Sequence, residues 1–248
     1  MSKYIWANTF AAIVLISLTA ITFLFKGQKL KNSRRLVLLI ICSVLFIYKV
    51  LQYSYYQLIG MHHMVPMEFS QIAYFLFPLS VFLSKKTKAL LPVGTFCAIL
   101  AGFFYNFSWI VSAKTFFERE TIYQMITAFI FHNILYFGGM LVLTNEKMSI
   151  KQFWQLPLGV TGIIGWHYLM HALVDNNRDI ILKSICEAEI LNNIMPSIAE
   201  NSLIIGLYYT IAIMTLFGSF FAFYRFNRAF TKNCLMDLKK PTKDIKST

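Results

Sequence analysis

A chain of 248 residues that is 57% hydrophobic and only 14% charged, with a mean hydropathy of +0.59, is not a soluble domain, in which about a quarter of the residues carry charge. The net charge of +12 does not indicate a nucleic-acid binder, because the basic residues cluster just beyond the apolar runs, as the inner flanks of membrane helices do. Cys42, Cys97, Cys186 and Cys234 are far apart and form no CxxC, which argues against a disulfide framework and the usual metal spacings.

These features predict an all-α fold, a polytopic transmembrane helix bundle. The first apolar run covers residues 4–25, with Lys3 before it and Lys26, Lys29, Lys31, Arg34 and Arg35 after it. A cleaved signal peptide carries its charge ahead of a shorter apolar core, so this run reads as a retained helix with its N-terminus outside. Residues 36–57 form the second run, with Lys49 and Gln52 in its outer half. A connector with His62, His63 and Pro66 leads to the third run, 67–83, which returns to Lys85, Lys86 and Lys88. The fourth run, 89–111, contains Pro92 and Gly102 and is followed by a loop over 112–121.

The fifth run, 122–143, carries no Asp, Glu, Lys or Arg and holds His132 and Asn133 near its middle. A titratable ring at that depth must face protein or water, since lipid offers it no hydrogen-bond partner. The sixth run, 153–174, contains His167 and His171. In the loop that follows, Ile181, Ile185, Ala188, Leu191 and Met195 recur at helical spacing, which predicts a short amphipathic helix on the outer surface. The seventh run, 202–223, precedes a basic tail. Seven spans with the N-terminus outside and the C-terminus inside place most of the basic residues on one side, as the positive-inside rule requires. The organisation expected is a seven-helix domain over 1–225 and a basic cytoplasmic tail over 226–248.

Polar residues at membrane depth are the best pointers to function in such a chain. Lys49, Gln52, Glu68, Ser70, Gln71, Asn106, His132, Asn133, His167 and His171 all fall from mid-bilayer outward, which predicts a polar cavity open to the outside. Lys49 and Glu68 flank the short outer connector and are expected to form an interhelical ion pair. His167 and His171 are four residues apart and share a helix face. With His132 and Glu68 they could make a zinc set, although so common a spacing fits interfacial residues better, and no metal or other cofactor is expected. Ser70 and His132 are the candidate catalytic pair, a weak nucleophile and the base it needs, with Asn133, Gln71 or Asn106 to orient the imidazole or bind an oxyanion. The bland reading of Ser70 is a hydroxyl bonded to its own helix.

VPMEFSQIAYFLFPLSVFLSKKTK (65–88), FCAILAGFFYNF (96–107) and FIFHNILYFGGMLVLT (129–144) resemble the corresponding stretches of the YwaF-type integral membrane proteins of bacteria. The resemblance covers roughly residues 35–225 and is carried by these pieces. It implies a multi-pass protein of the plasma membrane, the bacterial cell membrane, similar to a eukaryotic seven-helix acyltransferase that remodels ether phospholipids. It also implies membrane lipids as partners, with a phospholipid or acyl substrate, a nucleophile at Ser70 and a base at His132. Where the family has His-x-Cys this chain has Glu68, Phe69 and Ser70. Serine can carry an acyl group but needs more basic help than a thiol. The rival functions are a small-molecule transporter or binder using Lys49, Glu68 and His132, and a non-catalytic receptor or scaffold. No protein partner is implied.

Overall fold

The computed structural model describes residues 4–26, 30–149, 152–174, 181–189, 191 and 201–236, with the side chains of 119, 181–182 and 232–236 excepted. Eight helices follow one another among them. They are α1 (Ile5–Leu24), α2 (Lys31–Leu58), α3 (Phe69–Leu83), α4 (Leu91–Arg119), α5 (Ile122–Asn145), α6 (Gln155–Leu173), α7 (Ile181–Cys186) and α8 (Ser202–Met236). The chain is an all-α bundle, and five of its helices (α1, α2, α4, α5 and α8) are long and apolar enough to cross a membrane.

The other two expected spans are less clear-cut. Helix α3 has 15 residues, about 22 Å of rise against a hydrocarbon core of ~30 Å. The polar start at Glu68 is its N-cap and not part of its body. Helix α6 has 19 residues, but Gln155, His167 and His171 dilute its apolar character. The expected loop over 112–121 is corrected: α4 bends at Ser112, where φ is −149° and ψ 59°, and runs on as helix to Arg119. Beside the bend the Ile110 carbonyl accepts from Asn8 Nδ2 of α1 at 2.8 Å, and Ser112 Oγ meets Thr115 Oγ1 at 2.8 Å. A side chain entering the backbone ladder in this way is a recognised companion of helix kinks. Of the helix expected through Ile181, Ile185, Ala188, Leu191 and Met195, the described part is α7, six residues long, and the pattern is broken at Ala188, where φ is +56°. Its last carbonyls, of Ile185 and Cys186, accept from the hydroxyls of Tyr208 and Tyr209 on α8. Most of the loop around it, and the tail beyond 236, lie outside the described residues.

Helix α5 is the hub. Thr121 and Gln124 close its N-terminus as a capping box, each satisfying a backbone N–H of the other. Half of its most apolar stretch is buried, against 6% for α8. Its neighbours approach closely because small residues stand at the crossings, the usual device where lipid removes the hydrophobic drive. A Cβ on Gly139 would lie 2.8 Å from Ile99 Cγ1 of α4, and one on Gly138 would lie 2.8 Å from Phe77 Cε1 of α3. From the α4 side, a Cβ on Gly102 would lie 2.6 Å from the His132 carbonyl oxygen.

The helices alternate in direction. At one end, here the basic end, Arg34 at the start of α2 donates to Asn145 Oδ1 at the end of α5, and Phe23 of α1 meets Phe230 of α8. Gln152, just before α6, donates to the Lys88 carbonyl before α4. At the other end, the connector end, Trp166 Nε1 of α6 donates to the Pro66 carbonyl between α2 and α3. There, too, Tyr4 before α1 stacks on Phe117 of α4.

Candidate functional site

In the connector half, side chains of α3 and α4 meet one imidazole of α5, and α2 joins the cluster through Tyr74. His132 Nδ1 donates to the Ala128 carbonyl one turn back, at 2.8 Å. Only a protonated nitrogen can give that bond to a carbonyl, so the neutral ring keeps its lone pair on Nε2. Tyr105 of α4 stacks on the ring with centroids 3.9 Å apart and planes 6° from parallel. Tyr74 of α3 meets it edge-on at 5.4 Å and 74°. From α2, Lys49 places its ammonium 4.4 Å from the centre of the Tyr74 ring, in range for a cation–π attraction. The same Nζ donates to Gln52 Oε1 at 2.8 Å, and Gln52 Nε2 donates on to the Tyr56 hydroxyl at 2.9 Å.

The expected ion pair between Lys49 and Glu68 is therefore corrected. Among the described residues the ion pairs are Lys114–Glu118 and Lys183–Glu187. Lys49 instead uses an amide and an aromatic face. Gln71 has a local task as well: its Oε1 accepts from the backbone N–H groups of Met67 and Glu68 at 3.0 and 3.2 Å, closing the start of α3.

Ser70 lies one turn before Tyr74 on α3 and is half-buried, so the two share a helix face. No hydrogen bond joins Ser70 to His132 among the described residues. Tyr74 is the side chain of α3 that touches the imidazole.

Asn106 and Asn133 are buried, and each donates to the carbonyl four residues back at 2.8 Å. Both leave Oδ1 buried without a partner. His167 is fully buried, with Nδ1 bonded to the Met67 carbonyl at 3.3 Å and Nε2 without a partner. The rings of His167 and His171 are 6.2 Å apart. No group of three His, Cys, Asp or Glu able to hold a metal forms among the described residues, so the set of His132, His167, His171 and Glu68 is not assembled.

The basic end has the opposite character. Asn227 of α8 is buried; its Nδ2 donates to the Leu143 and Glu146 carbonyls at 2.8 Å each, and its Oδ1 accepts from the Met148 N–H at 3.0 Å. Arg34 bridges the Phe25 carbonyl and Asn145, both at 2.9 Å. A cavity of about 370 Å³ also opens here, bounded by the ends of α2, α3, α4 and α5. It is not legible in the sequence, where Lys31, Arg34, Arg35, Lys85 and Lys88 read only as topology signals.

Fold and site together define a multi-pass integral membrane protein, in keeping with a plasma-membrane location, with a half-buried aromatic–histidine cluster in one half. No protein-family model, curated protein or solved structure matches the chain.

Proposed function

We propose that the protein is a membrane-embedded, lipid-directed acyltransferase or ester hydrolase of the YwaF type, with His132 as base and Ser70 as nucleophile. The observation that supports this most is the tautomer of His132. Its Nδ1–H is committed to a backbone carbonyl and its ring is held by two tyrosines. That leaves Nε2 as an oriented proton acceptor, the feature a serine nucleophile requires. In the proposed reaction Ser70 Oγ attacks an acyl ester carbonyl and passes its proton to Nε2. The departing alkoxide then takes that proton, leaving acyl-serine. Water or a lysolipid hydroxyl, deprotonated by Nε2, then attacks the acyl-serine; the acyl group leaves on that oxygen, and Nε2 returns the proton to Ser70 Oγ. The Ser70–His132 hydrogen bond belongs to the substrate complex, where such contacts tighten.

The proposed topology is seven spans, α1 to α6 and α8, with the N-terminus outside and the C-terminus inside. The alternation of helix ends supports it, as does the concentration of Lys and Arg at the basic end. In it the histidine cluster lies toward the outer leaflet. The test compares the lipids of cells expressing wild type, Ser70→Ala, His132→Ala or an empty vector. Wild type should alter acyl-lipid species, and each variant should return the profile to that of the empty vector. A wild-type profile identical to the empty vector would reject the enzyme reading.

A further inference from the structure

Independently of the Ser70–His132 chemistry, we infer that the basic-end cavity between α2, α3, α4 and α5 is a binding site for the phosphate headgroup of an anionic phospholipid. Charge is the first ground. Lys31, Arg34, Arg35, Lys85 and Lys88 line the cavity against the single carboxylate of Glu146. Of these cations, Arg34 is fixed by the Phe25 carbonyl and Asn145. The other four are exposed and enter no ion pair among the described residues. Charge of one sign left uncompensated at the mouth of a cavity calls for a mobile counter-ion or an anionic ligand.

Shape is the second ground. A volume of about 370 Å³ lies within the ~300–1,000 Å³ typical of small-ligand pockets. Helices α2 and α4 both begin at this cavity, with Lys31 and Leu91 as their first residues. Their N-terminal N–H groups add to the positive potential.

The third ground separates a lipid from free phosphate. Two wall residues, Leu39 of α2 and Phe82 of α3, are also exposed on the outside of the bundle, at 37% and 38%. Leu36 and Ile40 continue that apolar face along α2 at 60% and 54%. The cavity thus borders the lipid-facing surface, where a headgroup can enter while its acyl chains stay in the hydrocarbon. Basic pockets between membrane helices on the inner side are known to take such headgroups.

The test measures the thermal unfolding midpoint of the purified full chain in neutral detergent at low salt. Three additions are compared: phosphatidylcholine, phosphatidylglycerol and inorganic phosphate. The expected result is a rise in midpoint with phosphatidylglycerol well beyond that with phosphatidylcholine, fading as salt screens the contact, and little rise with inorganic phosphate. Replacing Arg35, Lys85 and Lys88 by Gln should remove at least half of the phosphatidylglycerol-specific rise. Each single replacement should remove part of it, which keeps the test valid should the triple variant fail to fold. A charge-matched variant of the tail, with Lys239, Lys240 and Lys243 replaced by Gln, should keep the rise. Three results would overturn the inference: equal rises with the two lipids, equal rises with phosphatidylglycerol and inorganic phosphate, or a loss that follows the tail instead of the cavity.

Discussion

Asn227 and Asn133 are the same residue type buried in the same bundle, and they are used in opposite ways. Asn227 makes three hydrogen bonds, all to the end of α5 and the segment after it. Its amide is saturated, and it ties α8 to α5. Asn133 makes one bond within its own helix and leaves its Oδ1 buried without a partner. Asn106 repeats that pattern on α4. In low dielectric a satisfied amide fixes structure, while an unsatisfied one is a cost that packing alone does not require. The basic end therefore spends its buried amide on architecture. The connector half, around His132, carries polar capacity that the fold leaves unused.

Substitution by leucine gives the most sensitive way to break this contrast. Asn227→Leu should produce the largest effect, because it orphans the Met148 N–H and removes the partners of two carbonyls. A loss of roughly 3 kcal/mol is expected, read as a marked fall in unfolding midpoint and in monodisperse protein in detergent. Asn133→Leu should do far less. The carbonyl of Phe129 keeps its helical N–H partner, and the orphaned Oδ1 disappears, so stability should change by less than about 1 kcal/mol and could rise. If the two substitutions cost the same, the contrast between the ends is wrong.

The smallest expected effect sharpens the picture at the connector end, outside the spans. Burial raises the pKa of Glu120, at the C-cap of α4, and one carboxylate oxygen lacks a partner. The folded state thus holds this proton more tightly than the unfolded chain. The linked stabilisation is present at low pH and is lost as pH rises through the raised folded value. Glu120→Gln should flatten that part of the stability–pH curve and slightly raise the midpoint near neutrality. An unchanged curve would show that the desolvated carboxylate is not felt.

Much of the fold was legible because lipid imposes a single rule, that backbone polar groups be satisfied within helices. Uninterrupted apolar runs gave the long helices, and α5 was readable from the absence of charge over 122–143. The end of α4 reads as a loop because of the polar residues over 112–121. In the structure Phe116 and Phe117 of that segment pack on Trp109 and Tyr4, and the packing holds it helical. Charge and proximity in sequence pair Lys49 with Glu68, but the face of Tyr74 and the amide of Gln52 hold the lysine. His132 faces protein side chains, as a titratable ring at that depth must. Its tyrosine neighbours were not foreseen, because aromatic residues at helical spacing look alike whether they face lipid or a site. The cavity at the basic end needed three dimensions, since its cations come from segments far apart in sequence.

If His132 activates Ser70, covalent trapping of the serine reads that activation without intermediaries. Native membranes containing the protein would be treated with a fluorophosphonate, which reacts far faster with an activated serine than with an ordinary one, and the modified residue located by mass spectrometry. Ser70 should be modified in wild type, in clear excess over the other serines, and the modification should be lost in His132→Ala while the protein stays folded. Labelling of Ser70 no greater than that of Ser54 or Ser80, or undiminished by His132→Ala, would contradict that activation.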